Sequence, residues 1–304
     1  MHALQIRDDV AAAIATGAPV VALESTIISH GLPRPENLRV AREVEAIVIA
    51  HGAIPATIGV LDGVAIVGLN DAELVRLAGD DEVAKLSVRD VAIAVAQGLT
   101  GATTVASTAA LAAHAGIRIF ATGGLGGVHR QARESWDESA DLATLAATSM
   151  TVVCAGVKSI LDVSATLERL ESLSVSIVGY QTRAFPGFYL TDSGHPLDWS
   201  VESPEEVADV MLARRDLGLA GRALIVANPL PPAQQISREL HDRVLGNGLA
   251  RLQAAGVQGK GVTPYLLEFF HHETHGASLA ANTAIIRRNA QLAADIAVAL
   301  SARS

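Results

Sequence analysis

Short apolar runs rich in β-branched residues alternate along this chain with longer segments of helical period. Residues 19–28 are apolar on both faces of a predicted strand, and residues 36–51 follow as a helix with Val40, Val44 and Val48 on one stripe. A strand that is apolar on both faces must be covered on both, and helices cover it when the strands run parallel. The sequence therefore predicts a three-layer α/β/α fold with a mainly parallel central sheet.

The same periodicities predict the remaining elements. Further strands are expected at residues 54–60, 64–68, 117–122, 151–155, 175–180 and 223–227, and further helices at 90–97, 105–115, 138–147, 159–173, 204–217, 233–255 and 278–300. Asp62 and Gly63 predict the turn of a β-hairpin between the strands at 54–60 and 64–68. No linker, low-complexity tract or internal repeat interrupts the pattern, so we expect one domain over residues 1–304.

Charge and cysteine content limit the classes of function. The net charge is −9 at pH 7, which argues against a broad basic face for nucleic acid. No uninterrupted run of about 18 apolar residues is present, so no membrane span is expected. The lone Cys154 fits a reducing compartment, and residues 1–9 carry acids where a signal peptide carries a basic segment. We expect a cytoplasmic protein.

Lysine is rare in this chain. Of 23 lysine and arginine residues, only Lys85, Lys158 and Lys260 are lysines. A lysine amine can lose its proton and attack a carbonyl, whereas a guanidinium stays protonated. Lys158 directly follows the apolar run 150–157 and is predicted to open a helix, whose positive end would lower the pKa of the amine. Lys158 is therefore a candidate nucleophile.

Glu24 interrupts the apolar run of the first predicted strand. An isolated buried carboxylate is costly unless it is paired or protonated, so we expect the pKa of this carboxyl group to be raised. A carboxyl group of that kind suits general acid–base catalysis. The other interpretation is a structural glutamate whose oxygens accept backbone N–H groups.

Three further segments are polar where predicted strands end. Residues 101–108 are small and hydroxyl-rich and could hold a phosphate or cap a helix. The glycine-rich residues 121–130 match neither a dinucleotide-binding motif nor a P-loop. Asp137 and Asp141 are predicted neighbours on one helix face, suited to a hydrated divalent cation or to a solvated first turn.

The histidine-rich segment from His271 to His275 resembles a zinc motif at first sight. Its order is not H-E-x-x-H, so metalloprotease chemistry would lack its base and no zinc site is expected there. His30 and His129 flank the polar segments and are equally compatible with loop hydrogen bonds and with ligand contacts.

Taken together, these segments resemble the pseudouridine-5′-phosphate glycosidases, also called the indigoidine synthase A-like family. The match runs in order over most of the chain. Its segments are ALESTII from Ala22 with His30, Gly31 and Pro33; PATI from Pro55; Lys85 with Arg89 and Asp90; GATTVAST from Gly101; FATGGLGGVHR from Phe120; Asp137 with SAD from Ser139; VVCAGVKSILD from Val152; GYQT from Gly179; VANP from Val226; and TP from Thr263.

The resemblance implies an activity. The family cleaves the carbon–carbon glycosidic bond of pseudouridine 5′-phosphate to uracil and ribose 5-phosphate, reversibly and with a divalent cation, usually Mn²⁺. An α/β/α fold and a homotrimer are also implied. By motif, Lys158 would be the nucleophile that opens the ribose and forms an imine at its anomeric carbon. Glu24 would be the proton donor.

The resemblance also implies the binding residues. Lys85 would bind the substrate, through its phosphate, and Asp137 would reach the metal largely through waters. Asn282 stands near the place of a further family asparagine. The expected substrate contacts are Val105, Ser139, Ala140 and Asp141.

Two other functions fit the same residues. An imine-forming aldolase or lyase on another sugar phosphate would use Lys158 and Glu24 in the same way. A non-catalytic sugar-phosphate-binding protein would tolerate replacement of both. In every case the partner is a small molecule, and neither nucleic acid nor a membrane is expected. Lys260 and the segment from His271 to His275 receive no role.

Overall fold

The structure is a computed structural model that describes residues 4–257 and 259–303 and, at Lys260, the backbone alone. The strands are β1 (Leu4–Ile6), β2 (Val20–Leu23), β3 (Ile54–Leu61), β4 (Val64–Val67), β5 (Ala84–Leu86), β6 (Gly101–Thr103), β7 (Ile119–Ala121), β8 (Thr151–Cys154), β9 (Ser176–Tyr180), β10 (Ser200–Val201) and β11 (Leu224–Ala227).

The helices are α1 (Asp8–Thr16), α2 (Glu36–Ala50), α3 (Asp71–Gly79), α4 (Val88–Ala96), α5 (Val105–Ala115), α6 (Ala132–Ser135), α7 (Ala140–Ala146), α8 (Val163–Ser172), α9 (Pro204–Asp216), α10 (Arg238–Ala254), α11 (Val262–Glu273) and α12 (Ala277–Ser301). A π-helical turn covers Ile27–Gly31, and short 3₁₀ turns cover Pro232–Gln234 and Gly259–Gly261. None of the described helices is both long and apolar enough to cross a membrane.

Within the described part of the chain the strands form one sheet in the order β1-β4-β3-β2-β7-β8-β11-β9-β10, and β6 joins it beside β3 and carries β5. Pairing is parallel except where β3 meets β4 and β6. Asp62 and Gly63 connect β3 to β4 with positive φ angles of 48° and 78°, as a two-residue hairpin turn of type I′ requires. The predicted mainly parallel sheet and its hairpin are confirmed.

Alternate residues of the central strands enter two separate cores. Val20 and Ala22 of β2 pack in one core, whereas Val21 and Leu23 pack in the other. The first core also contains side chains of α1, α5, α7 and α8, and the second contains side chains of α2, α9 and α12. Helices therefore cover the central sheet on both faces, as the two-sided apolar character of the strands predicts.

Three predicted elements begin or end elsewhere because polar side chains replace backbone partners. The strand predicted at 19–28 ends at Leu23, and the Ser25 hydroxyl then donates to the Ile58 carbonyl oxygen at 2.6 Å. The helix predicted from residue 159 begins at Val163, because Asp162 caps it by accepting the Ala165 N–H at 3.0 Å. The helix predicted from residue 138 begins at Ala140.

Gly101 allows β5 to lie close to β6. A Cβ atom added at Gly101 would lie 2.4 Å from Leu86 Cδ1 and 2.9 Å from the Ala84 carbonyl oxygen. We expect Gly101→Ala to lower the free energy of unfolding by about 1–3 kcal/mol because β5 has to move. Gly79→Ala is the control, since nothing lies within 4 Å of its added Cβ atom. Urea denaturation checks both, and equal effects would contradict the packing argument.

Candidate active site

A cavity of about 330 Å³ opens beside the carboxyl ends of β2, β7 and β8. In open parallel sheets this edge is where ligands bind. The structure brings together every residue that the sequence assigns to a site. The lining includes Glu24, Lys85, Val105, Asp137, Ser139, Ala140, Asp141 and Lys158.

Glu24 follows β2 directly and is 8% exposed. The Thr122 hydroxyl, just after β7, donates a hydrogen bond to Glu24 Oε1. Burial raises the pKa of Glu24, although the charge of Lys158 and the Thr122 bond act in the opposite direction. The nearby Asp141 carboxylate raises this pKa further. Glu24 is therefore a buried carboxyl group that retains its proton to higher pH than an exposed glutamate.

Lys158 lies in the loop between β8 and α8. Its backbone N–H donates to the Leu125 carbonyl oxygen at 3.0 Å, which ties the loop to the glycine-rich segment after β7. The prediction that Lys158 opens a helix is wrong, because α8 begins only at Val163. The proposed effect of that helix end on the amine therefore falls away. The Lys158 charge instead acts on the pKa of Glu24.

Asp141 is a buried carboxylate that joins three segments of the cavity wall. Its Oδ1 accepts the Ala106 N–H at 2.9 Å, in the first turn of α5, and its Oδ2 accepts the Gly126 N–H at 2.8 Å. Ser139 caps α7 by accepting the Asp141 N–H at 3.2 Å. Asp141 lines the cavity, but both carboxylate oxygens already hold backbone amides. Its geometry is that of a side chain that positions the wall.

Gly126 lies close to the side chains of Ser139 and Asp141. A Cβ atom added there would lie 2.3 Å from Ser139 Oγ and 2.6 Å from Asp141 Oδ2. Gly124 is equally crowded, because an added Cβ atom would lie 2.6 Å from Phe188 Cδ2. The glycine-rich segment thus lets the backbone pack against side chains of the wall.

Asp137 does not share a helix face with Asp141, because α7 begins after it. Its side chain is 33% exposed, and its Oδ2 lies 3.8 Å from His129 Nδ1. Burial lowers the pKa of His129, Asp137 raises it and Lys85 lowers it. Among the described residues, no group of three or more His, Cys, Asp and Glu side chains could hold a metal ion. One accessible carboxylate fits a cation that keeps most of its waters and does not fit a fully protein-ligated ion.

Basic side chains form another part of the wall. Lys85 on β5 and Arg89 on α4 line the cavity together with His30 and His129. His30 Nε2 lies 3.0 Å from the Val83 carbonyl oxygen, so this nitrogen carries the proton. Burial lowers the pKa of His30 and the Lys85 charge lowers it further. Lys85 and Arg89 therefore supply positive charge for an anionic group.

Several lining residues had no sequence-based role or only an open one. Asn282 on α12 and Thr263 on α11 reach the cavity, as does Phe188, whose φ of +63° is rare for a bulky residue. The unpredicted α11 contains His271 and His272 in its last turn, and neither lines the cavity. The side chain of Lys260 lies outside the described residues, whereas the adjacent Gly259 lines the cavity.

An amine, a buried carboxyl group and a basic wall share one cavity at the carboxyl ends of parallel strands. This arrangement defines an α/β enzyme whose cavity suits a small anionic substrate. The family described as Indigoidine synthase A like protein matches residues 9–299. The chain belongs to this indigoidine synthase A-like family, as its motifs predicted.

Curated relatives agree in name. A pseudouridine-5′-phosphate glycosidase of Salinispora tropica is 65% identical over 295 residues, which cover 97% of this chain and 91% of that protein. The protein of the same name from Symbiobacterium thermophilum is 50% identical over 305 residues, and 99% of each chain is covered.

Solved structures agree in fold. The prealnumycin C-glycosynthase AlnA, in complex with ribulose 5-phosphate, superposes with a TM-score of 0.91 at 33% identity and covers 99% of this chain and 97% of its own. An indigoidine synthase A-like protein of Thermotoga maritima gives a TM-score of 0.89 at 35% identity, with 99% and 98% covered. The α/β fold with helices on both faces is thereby confirmed.

The anchoring role of Asp141 is tested by its removal. Asp141→Ala leaves the Ala106 and Gly126 amides without their acceptor, and we expect a loss of about 1–3 kcal/mol in unfolding free energy for each. Asp81→Ala is the control, because its ion pair with Arg34 is exposed and its loss should stay within about 0.5 kcal/mol. Chemical denaturation measures both. Similar losses for the two variants would disprove the anchor.

The burial of Glu24 predicts a pH-dependent stability. Between the unfolded and the raised folded pKa, the folded chain keeps a proton that the unfolded chain releases, so stability falls as pH rises. Glutamine does not titrate, so the stability of Glu24→Gln relative to the native protein should increase from pH 5 to pH 8. Thermal unfolding across this range measures it, with exposed Glu168→Gln as the control. A pH-independent difference would refute a raised pKa.

Proposed function

We propose that this chain cleaves the carbon–carbon glycosidic bond of pseudouridine 5′-phosphate, giving uracil and ribose 5-phosphate. The observation that carries the proposal is the placement of Lys158 and Glu24 in one cavity with the basic side chains Lys85 and Arg89. The names of relatives at 50–65% identity support the substrate.

Cleavage of this substrate requires a nucleophile that can form an imine, and Lys158 can supply it. A carbon–carbon glycoside has no leaving oxygen to protonate, so a pair of carboxylates is insufficient. In the proposed mechanism the Lys158 amine attacks the anomeric carbon, the bond from that carbon to the ring oxygen breaks, and the oxygen takes up the proton that the amine releases. The glycosidic carbon–carbon bond then breaks as an imine forms between Lys158 and the sugar. Water hydrolyses the imine and releases ribose 5-phosphate.

Glu24 supplies the proton that the departing uracil carbon needs. Burial raises the pKa of Glu24, which keeps the acid protonated for this step. Thr122 fixes the carboxyl group through Oε1 and leaves the other oxygen for the donated proton. Removal of this acid should lower kcat by about 10²–10⁴-fold.

The remaining residues position the substrate. Lys85 binds the phosphate in this proposal, and Val105, Ser139 and Ala140 contact the substrate. Asp137 would hold a hydrated divalent cation, expected to be Mn²⁺, which would supply positive charge to the site. Asp141 acts through the wall it anchors. A homotrimer and a cytoplasmic location belong to the same proposal.

A second candidate is an imine-forming aldolase or lyase on another sugar phosphate. The structural neighbour AlnA is a C-glycosynthase in complex with ribulose 5-phosphate, so a pentulose phosphate is the reasonable alternative ligand. Lys158 and Glu24 would have the same roles. Uracil release separates the two functions.

Incubation with pseudouridine 5′-phosphate and Mn²⁺, followed by borohydride reduction and peptide mass mapping, tests the substrate and the imine together. We expect uracil release and a reduced pentose-phosphate adduct on Lys158. Lys158→Arg keeps the charge without the nucleophile and should lose turnover by roughly 10⁴-fold or more. Lys85→Gln is the matched control, with a higher KM and the adduct still on Lys158.

The outcomes of that experiment are distinct. Uracil release without an adduct would keep the glycosidase and leave the imine unproven. An adduct formed from ribulose 5-phosphate, without any turnover of pseudouridine 5′-phosphate, would favour the aldolase. Full uracil release by the Lys158→Arg variant would remove Lys158 from the mechanism.

The cation site is tested by Asp137→Asn. We expect at least a tenfold weaker binding of Mn²⁺, because the substitution removes the one carboxylate charge proposed to hold the ion. The electron paramagnetic resonance signal of free Mn²⁺ measures binding without reference to activity. Exposed Glu134→Gln, three residues away, is the control. Equal Mn²⁺ affinity in the two variants would place the cation elsewhere.

A further inference from the structure

A second cavity, of about 110 Å³, lies near the opposite edge of the sheet from the active site. It adjoins the amino-terminal ends of β7, β8 and β11, since Arg118 precedes β7, Thr151 begins β8 and Arg222 lies two residues before β11. Four arginines contribute to its lining, Arg118, Arg214, Arg215 and Arg222. The chain as a whole carries a net charge of −9. Positive charge is therefore concentrated at this cavity in a protein whose net charge is negative.

The bonds of Arg214 leave its positive charge at the cavity. Arg215 pairs with Asp216 at 2.9 Å. Arg214 donates to three carbonyl oxygens, those of Leu219, Arg222 and Ala223. Carbonyl groups carry no net charge, so the Arg214 bonds fix the guanidinium without neutralising it.

The local electrostatics agree with this geometry. Burial lowers the pKa of Arg214. Burial and the charge of Arg215 also lower the pKa of Arg118. Like charges are therefore held near one another in partly desolvated positions, and a bound anion would relieve their repulsion.

An adjoining groove of about 290 Å³ extends from this cavity. Both are lined by Arg118 and Leu300, and the groove adds apolar side chains such as Ile14, Pro19 and Ile117. A ligand that places an anionic group among the arginines could therefore lay an apolar or planar body along the groove. Planar guanidinium groups match the oxygens of phosphate particularly well.

We propose that the cavity formed by Arg118, Arg214, Arg215 and Arg222 is a second anion site that binds a phosphate group, with the adjoining groove receiving the organic body of a phosphomonoester. The site is separate from the catalytic cavity. Strand β8 spans the sheet between them, with Thr151 at the arginine cavity and Lys158 beyond its other end.

Equilibrium dialysis with labelled inorganic phosphate and with labelled adenosine 5′-monophosphate tests the proposal on the full chain. The background is Lys85→Gln, which weakens phosphate binding in the catalytic cavity. We expect about one phosphate still bound per chain. Addition of Arg222→Gln should weaken that binding at least tenfold. The side chain of Arg222 is exposed and makes no hydrogen bond or ion pair with the described residues, so the fold should be unaffected.

Arg243→Gln is the matched control, since it removes one exposed arginine on α10. Less than a twofold change is expected for it. Tighter binding of adenosine 5′-monophosphate than of phosphate would support the groove as the place of the organic body, and equal binding would limit the site to the phosphate group. Loss of all phosphate binding in Lys85→Gln alone would overturn the proposal. Equal effects of Arg222→Gln and Arg243→Gln on phosphate binding would also overturn the proposal. A change in the sedimentation coefficient of the Arg222→Gln variant, with phosphate binding intact, would overturn it as well.

Discussion

Parallel pairing of β2, β7 and β8 is the constraint from which the site follows. The register pairs Ala22 with Phe120 and Phe120 with Val152, so the three strands end at the same edge. Glu24 and Thr122 are 98 residues apart in the chain, and they share a hydrogen bond because each follows its strand directly. The loop that carries Lys158 follows β8 in the same way. A shift in this register would separate the acid from the amine.

Much of the fold and of the site was predictable, because strands that are apolar on both faces and the rarity of lysine can be read from the sequence. The alternation of strands and helices predicted the fold class, and Glu24 and Lys158 were visible as polar residues at the ends of apolar runs. Periodicity failed at α7 and α8, because Ser139 and Asp162 cap helices that begin later than the apolar pattern suggests. Strands such as β5, β6 and β10 have two or three residues, which is too short to show an alternation of apolar and polar residues. Phe188 and Asn282 reach the cavity only through tertiary packing.

The electrostatics of the cavity depend on burial more than on any single partner. Burial raises the pKa of Glu24 despite the attraction of Lys158 and Lys85. Burial also lowers the pKa of His30 and His129, and the Lys85 charge lowers both further. The same enclosed space thus favours a neutral acid and neutral imidazoles beside the basic side chains of Lys85 and Arg89. That combination can donate protons and still attract an anion.

The Asp141 anchor has a consequence for how substrate choice can change. Its bonds to the amides of Ala106 and Gly126 form within the folded chain, so the wall is ordered before any ligand arrives and binding need not provide the energy to assemble it. The residues that order the wall are therefore different from the side chains that contact the ligand. Redesign of this cavity for another ligand should vary residues such as Phe188 and Asn282 and leave Asp141 and Gly126 intact, because the Asp141 bonds hold the wall in place without the ligand.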